Sequence, residues 1–571
     1  MLKMTFAPPK QSSIGTVDQI LSEDIIEKID NDGDNTYLHL RQECHTNTPI
    51  TGDGTTFVIP LTNVQCDVTQ FDKSFINLNL NIVFDIDGYA AKTADTDDTG
   101  GEAFQVFLGL KHASDIISEY ALFHRGRQVA GTLQSNGTIE SFLYNSLRNE
   151  NDLMYRGGSY SIDRYVYEQD SNCRCGSTVS LKELQTAAAG NGYITVNFNF
   201  IIPFTDILLF QQFTHYPQAL FGDLELRFKV NKRALVCLQM DPRQFLKSGN
   251  LTTTKILNKE ALRETLATRD YTQVGDKFVG VTKAKFAKQA LNAVQGLANL
   301  FGTAEWSVMN LSVGDVSFTP LAITVNECYA DICGYKVQSD KLEKMRNKYT
   351  NKPWVKFTQN VQYLPFSTSP STTGISATQQ IYLNNTTDLI LLFPTTANEC
   401  GGTVYKNPML DNLSLTLMNR KYPEVAINTC SPECTQMMLN ATDDLHRVPL
   451  MEYSESIATP RWLVGAVGEA VTYYHDRDLT RAIFTFKVER PSAMGLICDG
   501  LDSKGQQVPI RLTASNPMGG DDNTYCNREG GVPPPILVTV NDACLMFNAK
   551  DGGKCQYANG DFNDQIKTFM A

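Results

Sequence analysis

"ALFHRGRQV", residues 121–129, runs from an apolar strand into a basic turn at Arg125-Gly126 and out again. "LTLMNRKYPEV", residues 415–425, makes the same strand-turn-strand gesture about half a chain later. At the first tip a glycine supplies the positive φ that a two-residue hairpin needs, so a hairpin tip is the primary expectation for this basic cluster. Placing Arg125-Gly126 over Asn419-Arg420 gives an offset of 294, and further landmarks then follow in the same order. "FLYN", ending at Asn145, lies over "MMLN", ending at Asn440, at an offset of 295. "FNF" (198–200) lies over "FTF" (484–486) at 286, and "LELRFKVN" (224–231) resembles "VPIRLTASN" (508–516) at 284, with Arg227 over Arg511. The order holds and the offset drifts slowly, as two copies of one domain with loops of unequal length would give.

Each copy is written in strands. "INLNLNIVF" (76–84) sets Ile76, Leu78, Leu80 and Ile82 on one face and Asn77, Asn79 and Asn81 on the other. "ITVNFNF" (194–200) and "FTFKV" (484–488) alternate in the same way. A period of two with β-branched and aromatic residues marks half-buried strands, and many short ones between Gly/Pro/Asn/Asp loops indicate sandwiches rather than α/β units. At 571 residues the chain is too long for one core. The expected division is an N-terminal arm (1–49), a first β-domain (50–240), a partly helical linker (241–311), a second β-domain (312–550) and a C-terminal tail (551–571). Long loops at 87–103, 367–379 and 516–535 are expected at the surface, where binding and assembly contacts concentrate. In the linker, Phe286, Ala290, Val294, Leu297 and Phe301 share one helical face over 284–302. That helix is expected to pack across the junction of the two domains, the alternative being contact with a membrane or partner.

The chain carries 62 acidic and 50 basic residues, a net charge of −12, which opposes a role built on gripping nucleic acid. The N-terminus lacks the apolar region of a signal peptide, and no run of residues is apolar enough to span a bilayer as a helix. Synthesis in the cytosol is therefore expected, with most of the 14 cysteines as unpaired thiols. The close pairs Cys173/Cys175, Cys328/Cys333 and Cys430/Cys434 do not have zinc-site spacing. Adjacent Cys44 and His45 suit shared coordination poorly. "IDNDGDN" (29–35) places Asp30, Asp32 and Asp34 like a calcium loop, but Asn35 stands where glycine is needed and Arg41 where the bidentate glutamate is needed. Carboxylate pairs such as Glu469…Asp476 or Asp521-Asp522 are not distinguished from the many others in an acidic chain. Phosphate loops, nucleophile elbows and paired metal-binding histidines are absent from the sequence. No catalytic, cofactor-binding or metal residue, and no cofactor, is assigned from sequence, and an enzyme is not expected.

"SDIISEYALFHRGRQVAGTLQSNG" (114–137), "DNLSLTLMNRKYPEV" (411–425) and "FTHYPQALFGDLELRFKVN" (213–231) carry a resemblance. In pattern, over most of its length, the chain resembles the double jelly-roll major capsid proteins of the phage–adenovirus lineage, most of all the virophage and Polinton-like virus type. The resemblance implies an all-β fold of two consecutive eight-stranded jelly rolls with short helices, here "IESFLYNSL" (139–147) and "CTQMMLNAT" (434–442). It implies a structural protein of the virion that self-assembles into pseudo-hexagonal homotrimeric capsomers of an icosahedral capsid. DNA would be enclosed without specific binding. The partners implied are other copies of the chain, penton and minor capsid proteins, and an internal membrane as an open question. The competing reading is a carbohydrate-binding or hydrolytic tandem β-sandwich.

Overall fold

A computed structural model describes residues 36–45, 56–87, 105–110, 112–132, 136–146, 176–180, 192–210, 214–239, 317–368, 374–394, 405, 408, 410–429, 433, 437, 462–464, 470–472, 483–488, 500–515, 534–550 and 553–558. In the first half the strands are β1 (Thr36–Glu43), β2 (Thr56–Pro60), β3 (Val68–Asp87), β4 (Gln105–Gly109), β5 (Ile117–His124), β6 (Arg127–Gly131), β7 (Gly176–Ser180), β8 (Tyr193–Pro203), β9 (His215–Tyr216), β10 (Leu224–Val230), β11 (Val236–Gln239) and β12 (Ser317–Lys336). In the second half they are β13 (Trp354–Pro365), β14 (Gly374–Ile381), β15 (Thr386–Leu392), β16 (Asp411–Leu417), β17 (Arg420–Ile427), β18 (Trp462–Val464), β19 (Ala470–Thr472), β20 (Phe484–Lys487), β21 (Val508–Ser515), β22 (Ile536–Asn548) and β23 (Lys554–Ala558).

The connectivity defines the fold. The first domain pairs one sheet as β1-β12-β3-β8 and the other as β2-β10-β5-β6; the second pairs β13-β22-β15-β20 and β14-β21-β16-β17. Counting the eight core strands of each domain in chain order, both read 1-8-3-6 and 2-7-4-5. That is the jelly roll, a sandwich of two Greek keys, here built twice with the same strand order. Pairing within every sheet is antiparallel.

The period-two patterns explain the cores. Ile76, Leu78, Leu80, Ile82 and Phe84 of β3 are all buried, as are Val196, Phe198, Phe200 and Ile202 of β8. They meet Leu224, Leu226, Phe228 and Val230 of β10 and Leu122 of β5 from the facing sheet. Each such side chain contributes on the order of 1.5–3 kcal/mol by leaving water. In the second roll Leu389, Leu391, Leu413, Leu415, Phe484, Phe486, Ile510, Leu512 and Leu537 fill the same role.

Both hairpins that suggested the duplication join strands 4 and 5 of a roll. Arg125 and Gly126 have φ of 51° and 74°, Met418 and Asn419 have 50° and 62°. The closing pairs are His124–Arg127 and Leu417–Arg420. The true tip-to-tip offset is therefore one residue less than the expected 294, because both central residues of this turn need positive φ and the second tip meets that with Met418-Asn419. β10 and β21 are also equivalent, but Leu224 opposes His124 whereas Ile510 opposes Leu417. The alignment of Arg227 over Arg511 is thus out by two residues. A slip of two keeps every side chain on its proper face.

The domain boundaries differ from 50–240 and 312–550. β1, within the expected arm, and β12, within the expected second domain, lie side by side in the first roll, from Thr36 opposite Lys336 to Glu43 opposite Tyr329. The eighth strand of that roll is separated from the seventh by a long insertion, so the 50–240 segment lacks both members of this edge pair. The helix Ser339–Asn351 joins the rolls, and β23, within the expected tail, extends the second roll by pairing with β22. The expected helix at 284–302 and the acidic turn at 29–35 lie outside the described residues, as does the second expected short helix, 434–442, apart from Met437.

Candidate assembly surface: the joint between the rolls

The short helix Gly137–Ser146 follows β6, close to the expected 139–147. Its Phe142, Leu143 and Tyr144 leave their own roll and enter the apolar core of the second, together with Leu208. Phe142 and Tyr405 lie 5.0 Å apart, and Thr358 Oγ1 of β13 donates to the Leu208 carbonyl at 3.4 Å. In return, Met345, Tyr349, Trp354, Leu545 and Phe547 enter the core of the first roll. Trp354 stacks on Phe221 at 5.2 Å and 10°, and Phe547 stands 5.3 Å from Trp354, 5.5 Å from Phe221 and 5.6 Å from Tyr216. Gly553 (φ 112°) touches this cluster, where a Cβ would come within 2.1 Å of the Phe221 carbonyl oxygen. Such aromatic pairs add about 0.5–1.5 kcal/mol each beyond the area they bury.

Several polar groups of the joint are paired. His124, within the basic stretch at the hairpin, is buried and its Nε2 donates to the Phe221 carbonyl at 2.7 Å; burial holds its pKa below the ordinary histidine value. Glu140 is fully buried, accepts from the Tyr120 hydroxyl at 2.5 Å, and its carboxyl is pushed up to about 8 by that burial. Its charge is also felt by Tyr557 of β23, across the joint. Ser141 and Asn145 of the same helix bond to Ser114 at 2.5 and 2.8 Å.

This contact joins unlike surfaces. The second roll offers β13, β22 and β23 of its 1-8-3-6 sheet. The first offers its strand-5 edge, the helix 137–146 and the turn Leu208–Phe210. The outer face of the first roll's own 1-8-3-6 sheet remains exposed or half-buried. There, Asn197 Nδ2 bonds to Asn79 and Asn81 at 3.0 and 2.7 Å, Asn81 Nδ2 to Asn326 at 3.1 Å, and Asn77 Nδ2 to the Tyr329 hydroxyl at 2.8 Å. Phe75, Val83, Tyr193, Thr195 and Ile201 complete the outward positions of β3 and β8 around these amides, with Asp85 as their one charge. On β12 and β1 the same face carries charge, with Glu327 opposite Asn79, Asp331 opposite Phe75, and Arg41 ion-paired to Glu327 and Glu43. The part over β3 and β8, amides and apolar groups with little charge, has the composition of a protein–protein interface centre.

The sequence assigns no residue to catalysis; among the described residues one thiol lies beside an imidazole, Cys333 Sγ at 3.1 Å from His39 Nδ1. Glu469, Asp476, Asp521 and Asp522 lie outside the described residues. Cys44, Cys66, Cys328, Cys333, Cys544 and Cys555 are free thiols. The Cys44 thiol hydrogen-bonds to Cys328, which holds its pKa down while that of Cys328 rises. One group that linear spacing concealed does form: His39, Asp331 and Cys333 place their donor atoms within 4.8 Å of one another. The halves of this group are nearly 300 residues apart in sequence, so only the β1–β12 pairing brings them together.

No known sequence family and no curated protein matches the chain. Among solved structures it is similar to the cryo-EM structure of the Sputnik virophage, with 10% identity, a TM-score of 0.47, and coverage of 93% of this chain and 90% of that one. It is also similar to the major capsid protein of mavirus (9% identity, TM-score 0.44, 93% and 92% covered) and to that of Faustovirus (7%, 0.40, 90% and 90%).

Proposed function

We propose that this chain is a viral major capsid protein that self-assembles as homotrimeric, pseudo-hexagonal capsomers into an icosahedral shell around DNA. The observation that carries this reading is the joint. Two rolls of one topology meet head to tail, and the first roll keeps free the face that its twin has covered. A heterologous contact repeated with a closing rotation gives a ring. If the free amide face of one chain takes the second roll of the next, three chains close six rolls around an axis. The occupant of that face is thus a second copy of the chain. Such a protein works through large buried areas rather than an active site, in keeping with a non-enzyme made in the host cytosol and located in the virion. Penton and minor capsid proteins are the further partners this role requires, and the net negative charge fits DNA that is enclosed rather than gripped.

A charge placed on the free face tests this directly. Asn197→Lys sits on an exposed strand position and leaves the fold intact. It is expected to convert the assembled species to single chains, read by sedimentation. An Asn197→Lys protein that assembles as the parent does would overturn the assignment of this face.

A further inference from the structure

We propose that His39, Asp331 and Cys333 form a binding site for a zinc-class divalent cation, which clamps the edge strand β1 onto β12. His39 opposes Cys333 directly in the antiparallel ladder. Cys44 N donates to the Cys328 carbonyl at 3.2 Å, so that pair is a hydrogen-bonded one. Five positions back, His39 and Cys333 fall at a non-hydrogen-bonded pair, where facing side chains come closest. Nδ1 of His39 lies 3.1 Å from Cys333 Sγ and 3.6 Å from Asp331 Oδ1. One imidazole, one carboxylate and one thiol make a mixed N, O and S donor set, which suits Zn²⁺ better than a hard cation.

Two further observations point to a ligand. Asp331 Oδ1 is shielded from solvent and has no hydrogen-bond partner, an arrangement that costs free energy unless a cation or donor meets it. The sulfur is also held in place: the Cys333 N–H donates to Ser74 Oγ at 3.0 Å and the thiol to the Lys73 carbonyl at 3.3 Å. His39 is 74% exposed, so an ion enters from solvent and keeps a fourth position open on that side. On binding, the Cys333 S–H bond breaks, a sulfur–metal bond forms and the proton leaves to water. Cys333 alone favours its proton, since burial pushes its pKa up to about 11, and the ion's charge reverses that preference. The clamp acts where it has most effect, because among the described strands β1 is an edge strand whose ladder runs along β12.

The test is titration of the full-length, metal-free chain with Co²⁺ as spectroscopic probe, followed by competition with Zn²⁺. The expected result is a thiolate-to-cobalt charge-transfer band that saturates at one ion per chain and is displaced by Zn²⁺. Cys333→Ser should abolish the band, and His39→Ala should weaken binding roughly tenfold or more. His39 is exposed, so its variant folds even if Cys333→Ser does not. The proposal is overturned if the parent gives no band at one equivalent, or if His39→Ala binds cobalt as tightly as the parent.

Discussion

The 1-8-3-6 sheets of the two rolls have the same strand order and opposite surroundings. In the first, β3 alternates strictly from Ser74 to Asp85, with buried Ile76, Leu78, Leu80 and Ile82 against half-buried Asn77, Asn79 and Asn81. In the second, all seven residues of β15 (TTDLILL) are buried, and β22 is buried along its whole length except at Asp542. Alternation marks a sheet with one face open and a continuous apolar run marks one covered on both. The cover on the second sheet includes Phe142, Leu143 and Leu208 of the first roll. One topology thus carries two sequence patterns, and the difference records which face already has its partner within the chain.

The joint should be the costliest place to damage. Phe221→Ala removes a side chain that contacts Trp354, Phe547, Tyr349 and Tyr216, and should lose about 3–5 kcal/mol in denaturant unfolding. A loss below about 1 kcal/mol would mean that the rolls are held elsewhere. Next comes an exchange of the two patterns. Ile390→Asn, in the covered sheet, should cost about 2–5 kcal/mol, through a cavity and an unpaired amide. Asn79→Ile, in the open one, should stay within about 1 kcal/mol for the unassembled chain. Similar costs at both positions would erase the contrast between the sheets.

Glu140 gives the joint a pH dependence of known sign. Its folded pKa, about 8, lies above the ordinary carboxyl value of 4.5. Between those values the folded state holds a proton that the unfolded state has released. Stability therefore falls as pH rises through this window, by at most about 1.4 kcal/mol per unit, and levels off above it. Glu140→Gln should flatten that slope in melting curves measured from pH 5 to 9; an unchanged slope would assign it to other groups. The smallest effects belong to the hairpin tips. Gly126→Ala should destabilise the first roll and Met418→Gly should stabilise the second, each by about 0.4–1 kcal/mol, since both sites need positive φ. Equal and opposite shifts in midpoint are the check.

Much of this was legible in the sequence because period-two patterns survive small alignment errors. The two-residue slip at β10 and β21 left Leu226 and Leu512 on the inner face, so the duplication stood out although the register was wrong. The polar residues mark both hairpin tips, the first at its true position and the second displaced by one, because a methionine at positive φ is not a usual turn signal. The eighth strand of the first roll was missed because a long insertion separates it from its roll. Neither Trp354 nor Phe547 stands out locally, since their importance lies in reaching across a joint. The trio of His39, Asp331 and Cys333 left no trace in spacing, because strand pairing alone assembles it.

The most direct test of the central claim is the solution mass of the purified chain, with negative-stain images of the same fraction. From a 63.5 kDa chain the account predicts a species of three copies, roughly 190 kDa, seen as flat six-lobed particles or as shells. A chain that stays a monomer at high concentration would contradict it, since the free face of the first roll would then have no second copy to receive.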